Sequence, residues 1–164
     1  MSFETKLNKQ YNKIANHVSD MIPGSWEKVY LVAFLEERAC EVFFYFTVPN
    51  NDELLYSLSI PEIYGVSEKE FSQRKFKLYH LFFDLRNIFE KNGQEPFGTC
   101  EFDFTIGGKL NVSFEYTDWD ASKFGPGGKF DYYRYKKFGI LPEMEYAIKR
   151  MHEVEQYVKE SQEK

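Results

Sequence analysis

Five carboxylates fall within twenty residues of this sequence, in EFDFTIGGKLNVSFEYTDWD from residue 101 to residue 120: Glu101, Asp103, Glu115, Asp118 and Asp120. Acids at 101, 103 and 115 carry the oxygen ligands that Ca²⁺ or Mg²⁺ takes, but no Ca²⁺-loop pattern accompanies them. Acids beside a large ring, as in Asp118-Trp119-Asp120, suit a different chemistry, in which a basic partner supplies the positive charge the chain lacks. Lys109 is the one base in the stretch. The residues therefore read as an uncompensated acidic face with Trp119 as a candidate anchor. Tyr132, Tyr133 and Tyr135 have interface composition too, although the same rings would also pack under a helix.

Other reactive residue types lack the neighbours that would activate them. His17, His80 and His152 fall in three separate helical segments without an HExxH spacing, and read as surface or helix-edge residues. Cys40 and Cys100 sit in apolar runs with no CxxC or CxxH, as buried thiols of a reducing cytoplasm do. GxSxG is absent, and Gly125-Pro126-Gly127-Gly128 lacks the GK[ST] ending of a phosphate loop. The sequence thus predicts no catalytic residue, no metal and no cofactor.

The acids must be positioned by the strands that carry them. Phe102, Phe104, Leu110, Val112, Phe114 and Tyr116 alternate along 101–117, the pattern of a half-buried antiparallel hairpin. A two-residue Gly107-Gly108 turn would set Phe104 against Asn111 and Phe102 against Ser113, mixing the faces. Two three-residue loops avoid this. Ile106-Gly107-Gly108, with Gly108 left-handed, opposes Phe104 to Leu110 and Phe102 to Val112, whereas Gly107-Gly108-Lys109 opposes Glu101 to Glu115. In either register Glu101, Asp103, Asn111, Ser113 and Glu115 share the face away from the rings.

Around this hairpin, apolar spacing predicts a helix over 3–21, ended by Pro23-Gly24, then strands over 26–35 and 40–48 that are apolar on both faces and hence central. A third strand over 54–60 stops at Pro61. Ser67-Glu68-Lys69-Glu70 is a capping box that opens a helix running to Asn92-Gly93. Gly125–Gly128 reads as a flexible break, and Pro142 as the start of a last helix whose buried stripe is Met144, Ile148, Met151, Val154 and Val158. The order α-β-β-β-α-β-β-α predicts an α+β fold: an antiparallel sheet of about five strands, one face under the long central helix, with the N- and C-terminal helices flanking it. Residues 1–164 read as a single domain.

Composition narrows the partners. Of 164 residues, 43% are hydrophobic and 19% aromatic, enough for a core built from rings. A net charge of -5 argues against direct binding of DNA or RNA and favours a basic protein partner. No apolar run reaches the length of a membrane span, and the polar, charged residues 1–25 predict a soluble chain without a secretory address. None of these features sets an oligomeric state.

Several stretches in order resemble the YezG/EsaG-type immunity proteins of Gram-positive bacteria. They are Tyr11 to Ile22 with Trp26-Glu27-Lys28-Val29-Tyr30, then Glu41-Val42-Phe43-Phe44-Tyr45, Leu85-Arg86-Asn87, Gly93-Gln94-Glu95-Pro96, Glu101-Phe102-Asp103-Phe104, and 135–143 (YKKFGILPE). The resemblance implies a cytoplasmic antitoxin that binds and neutralises a cognate nuclease toxin, typically the C-terminal domain of a type VII-secreted, LXG-type polymorphic protein, without catalysis of its own. Two alternatives remain beside it: a metal- or small-molecule-dependent enzyme using the acidic sheet face, and an interaction module whose partner is not a toxin.

Overall fold

A computed structural model describes residues 1–163. Its elements are α1 (Phe3–Met21), β1 (Lys28–Leu35), β2 (Cys40–Thr47), β3 (Leu55–Tyr56), a 3₁₀ turn (Ser57–Ser59), α2 (Ile60–Tyr64), α3 (Glu68–Lys91), β4 (Thr99–Thr105), β5 (Leu110–Glu115), α4 (Pro126–Phe138) and α5 (Glu145–Gln162). The five strands form one antiparallel sheet in the order β3-β2-β1-β4-β5, so the fold is α+β as the pattern of elements predicts.

The central strand β1 explains the layering. Val29, Leu31, Ala33 and Leu35 point to one face, where α1 and α3 cover them with Ile14, Val18, Phe82 and Leu85. Val32 and Phe34 point to the other face, into a second cluster with Phe43, Tyr45, Tyr133, Met151 and Val154. The sheet is therefore covered on both sides. The long helix α3 covers one face with α1 beside it, and α4 pairs with α5 on the other. A strand that is apolar on alternate residues in both directions requires this, since either face left open would expose a continuous apolar surface.

Local chemistry sets most element boundaries. The Thr5 amide donates to Ser2 Oγ at the start of α1, and the Glu70 amide to Ser67 Oγ at the start of α3. Gly93 ends the long helix region with φ 70, as the Asn-Gly pair predicts. In the β4–β5 hairpin Phe104 opposes Leu110 and Phe102 opposes Val112, with Gly108 at φ 95, so the loop is Ile106-Gly107-Gly108. Glu101 faces Ser113 rather than Glu115.

Three boundaries differ from the sequence pattern. β3 is two residues long, because buried Ser57 takes the Phe44 amide with its hydroxyl (3.1 Å), and the chain turns into helix, where Pro61 fits the first turn. Gly125–Gly128 is not a break: Pro126 opens α4. A Cβ at Gly127 would lie 3.1 Å from Arg150 Nη2, and one at Gly128 3.3 Å from Val154 Cγ2, so these glycines let α4 lie close against α5. Met144 is exposed at the N-cap of α5 and Ile148 only half-buried, while Ala147 joins Met151, Val154 and Val158 on the buried stripe.

Phe102 is fully buried and meets Tyr11 and Phe82 edge-on, with centroids 5.5 and 5.7 Å away. Phe102→Ala is expected to cost about 3–5 kcal/mol, because neighbours held on a sheet and two helices collapse poorly into the cavity. Urea denaturation followed by circular dichroism checks this; a loss below about 1 kcal/mol would show that the site relaxes.

Candidate functional site

The sheet acids lie on the side that α4 covers. Lys137 Nζ contacts Asp103 Oδ2 directly and lies 3.9 Å from Glu101 Oε1, and Lys136 Nζ lies 2.5 Å from Glu115 Oε1. The three side chains keep only 31%, 18% and 17% of their surface for Asp103, Glu101 and Glu115. The reading of these acids as uncompensated is therefore corrected: their bases come from the last turn of α4, too far along the chain to be visible as neighbours. Burial pushes the Glu101 pKa up, against the pull of Lys137 and Lys136. Burial also works to lower the Lys136 pKa, but the hydrogen bond and charge of Glu115 outweigh it, and the net shift is upward.

Two of the three tyrosines belong to the core. Tyr132 and Tyr133 are buried, the latter edge-on to Phe43 with centroids 5.5 Å apart. Tyr135 is half-buried and packs against the His152 ring. Trp119 is 1% exposed, so an anchor reaching out to a partner is also corrected. Its indole N–H donates to Thr99 Oγ1 (2.9 Å) and its ring meets Phe34 edge-on. What Trp119 anchors is its own loop.

That loop is tied at both ends of its acidic pair. The Asp120 carboxylate accepts the Glu37 amide (2.9 and 3.2 Å), Asp118 Oδ1 accepts the Ala121 amide (3.1 Å), and the Tyr157 hydroxyl donates to the Asp118 carbonyl (2.5 Å). Arg86 of α3 donates to the carbonyls of Glu36 and Glu37 at 2.7 and 3.1 Å. Gly98 makes the close approach possible, since a Cβ there would stand 1.9 Å from the Thr117 carbonyl oxygen. The result is a cleft of about 420 Å³ with Arg86 in it and Glu37, Glu90, Glu95, Asp118 and Asp120 around it. All five acids are exposed.

Lys129 went unnoticed in the sequence. It is 1% exposed in the first turns of α4, 3.3 Å from Glu36 Oε1 and 3.5 Å from Glu41 Oε2, with Nζ 5.3 Å from the Trp119 ring centroid. One buried cation thus joins α4, the β1–β2 turn and the 118–120 loop. Burial raises the Glu41 pKa, Lys129 opposes the shift and Glu36 adds to it. The neighbouring Cys40 thiol, half-buried, is pushed up to about 12, first by burial and then by Glu41; Cys100 is fully buried, and both are free thiols. A lysine inside a Gly-Pro-Gly-Gly-Lys-Phe run gives no local sign of burial.

Among the described residues no three His, Cys, Asp or Glu side chains are grouped to hold a metal ion, and no helix is long and apolar enough to cross a membrane. His17 bonds the Arg74 carbonyl (2.7 Å), His152 contacts Glu155, and His80 is exposed beside Phe76.

A family model described as Immunity protein YezG-like matches residues 7–152. The chain is 50% identical over 163 residues to the type VII secretion system protein EsaG of Staphylococcus aureus (strain NCTC 8325 / PS 47), across 99% of this chain and 100% of that protein. It is 34% identical over 137 residues to the immunity protein YezG of Bacillus spizizenii, across 84% and 85% of the two chains, and 32% identical over 135 residues to the immunity protein YezG of Bacillus subtilis, across 82% and 89%.

Lys129→Met keeps the bulk of the side chain but leaves Glu41 without its cation. The acids retain 27–28% exposure, so the expected loss at neutral pH is about 1–3 kcal/mol. The folded Glu41 pKa lies above its ordinary 4.5, so ionising Glu41 costs stability as the pH rises through that window, and costs more without Lys129. The deficit of the variant should therefore shrink on acidification towards pH 4.5. Urea melts of both proteins at several pH values measure it; a deficit that grows on acidification would contradict the assignment.

Proposed function

Because this chain belongs to the YezG-like immunity protein family, we propose that it neutralises a cognate nuclease toxin by stoichiometric protein–protein binding. The toxin in this reading is the C-terminal domain of a type VII-secreted, LXG-type polymorphic protein, and the encounter takes place in the cytoplasm. The observation that carries the proposal is the end-to-end similarity to EsaG, a protein named for type VII secretion, together with the match to immunity proteins. The charge supports it: a nuclease holds its substrate in a basic groove, and a chain of net charge -5 is attracted to such a groove over a Debye length.

The docking surface we assign starts from Asp118 and Asp120, whose carboxylates stand in the cleft with Glu37, Glu90 and Glu95. Glu101, Asp103 and Glu115 contribute beside it as a layer already half-neutralised by Lys136 and Lys137, with Tyr135 near them on α4. Trp119, Tyr132 and Tyr133 act from beneath, holding the loop and α4 in place. Inhibition then consists of presenting fixed carboxylates to the cations that the toxin uses for phosphates.

Titration of a purified cognate toxin domain should abolish nuclease activity near one equivalent of this chain; inactivation by far less would reveal turnover and sink the proposal. Replacing Glu37, Glu90 and Glu95 together by Lys should leave the fold intact, slow association and flatten its salt dependence, as loss of steering charges does. Unchanged association kinetics in the folded triple variant would move the docking surface elsewhere.

A further inference from the structure

We propose that β5 is a self-pairing edge, through which two copies of this chain join their sheets into one. The proposal rests on the hairpin alone; of the docking residues assigned above, its seam pairs only Glu115.

The sheet has two ends, and the longer edge strand is β5. At one end β3 pairs for two residues and the chain then turns into helix at Ser57. At the other end β5 runs for six residues, with β4 the element packed along it; α1 and α3 touch it from one face through Tyr11 and Phe89, α4 from the other through Lys136, and Ser161 and Gln162 at the end of α5 line a cavity with Phe114 and Glu115. The Thr105 amide bonds the Lys109 carbonyl, so by antiparallel alternation Asn111 and Ser113 turn their backbone groups towards β4. The N–H and C=O groups of Leu110, Val112 and Phe114 then point out of the sheet. Natural edges are blunted by proline, by lysine within the strand, by bulges or by brevity. LNVSFE, residues 110–115, has none of these.

The occupant is identified by the strand's own sequence. Turned about a two-fold axis through Val112, β5 meets a second copy with Leu110 against Phe114, Asn111 against Ser113, Lys109 against Glu115 and Gly108 against Tyr116. Every apolar pair falls on the α1/α3 face and every polar pair on the α4 face, so the register keeps both faces consistent. At both ends of the seam Lys109 joins Lys136 at Glu115, and Gly108 leaves room for Tyr116, which is 49% exposed in the single chain. Val112 against Val112 is then a hydrogen-bonded pair, which satisfies the outward groups of Leu110, Val112 and Phe114 in both copies. Such an interface is isologous and closes at two chains. A six-residue seam is smaller than a standard interface of about 1,200–2,000 Å², so association should be concentration-dependent.

Sedimentation velocity of the full chain should show the mass moving from 19.6 kDa towards twice that value as concentration rises. Asn111→Lys with Ser113→Lys sets lysine against lysine across the seam at two positions exposed in the single chain, and should hold the mass at 19.6 kDa while circular dichroism stays unchanged. Asn111→Cys with Ser113→Cys, in a Cys40→Ser background, places thiols in a non-hydrogen-bonded pair at about 4.5 Å between Cα atoms, and should give a covalent dimer on oxidation. A single chain at every concentration overturns the proposal. So does a dimer that survives the lysine pair or that yields no cross-link, because it must use another surface.

Discussion

Everything in this fold follows from a central strand that is apolar on both faces. β1 places Val29, Leu31, Ala33 and Leu35 on one side and Val32 and Phe34 on the other, and all six are buried. A strand of this kind is stable only between two helical layers. α1 and α3 provide the first, by a wide apolar stripe on each helix. α4 and α5 provide the second, and they do it under tighter conditions, because the sheet changes character beneath them.

Across β1 and β2 the second layer meets rings; across β4 and β5 it meets carboxylates. α4 resolves this by changing its own chemistry along its length. Tyr132 and Tyr133 pack on Phe43 and its neighbours, and one turn later Lys136 and Lys137 reach the acids of the hairpin. The lysine stems cover the strands while their ammonium groups meet the carboxylates, an arrangement that an aliphatic helix could not offer. At the opposite end Lys129 does the same for Glu36 and Glu41 under full burial. The second layer is thus clamped by charge at both ends and by aromatic packing between them, and the 118–120 loop is caught in the clamp through Trp119.

Much of this was legible in local residue order. The alternation in 101–117 fixed the hairpin faces and excluded the two-residue turn, and the capping box at Ser67 marked the start of α3 to the residue. What local order cannot carry is the identity of a distant partner. Glu101 and Asp103 read as unpaired because their base sits at 137, and Trp119 read as an exposed anchor because Thr99 and Phe34, which receive it, lie far back in the chain. Gly127 and Gly128 failed for a related reason. A glycine that supplies flexibility and a glycine that supplies close packing look alike until Arg150 and Val154 are in place.

The order in which the layers are encoded has a consequence for biosynthesis. The sheet and its first helical layer are complete by Glu115, whereas α4 begins only at Pro126 and α5 ends at Gln162. While the ribosome still holds the last segment in its exit tunnel, the emerged part has the residues of the α1/α3 layer but not those that cover the opposite face. Until α4 and α5 follow, Phe34, Phe43 and Tyr45 lack the cover they have in the full chain. A translational pause near Pro126 would lengthen the exposure of these rings, so the speed at which residues 126–162 follow the sheet sets how long the chain is open to aggregation.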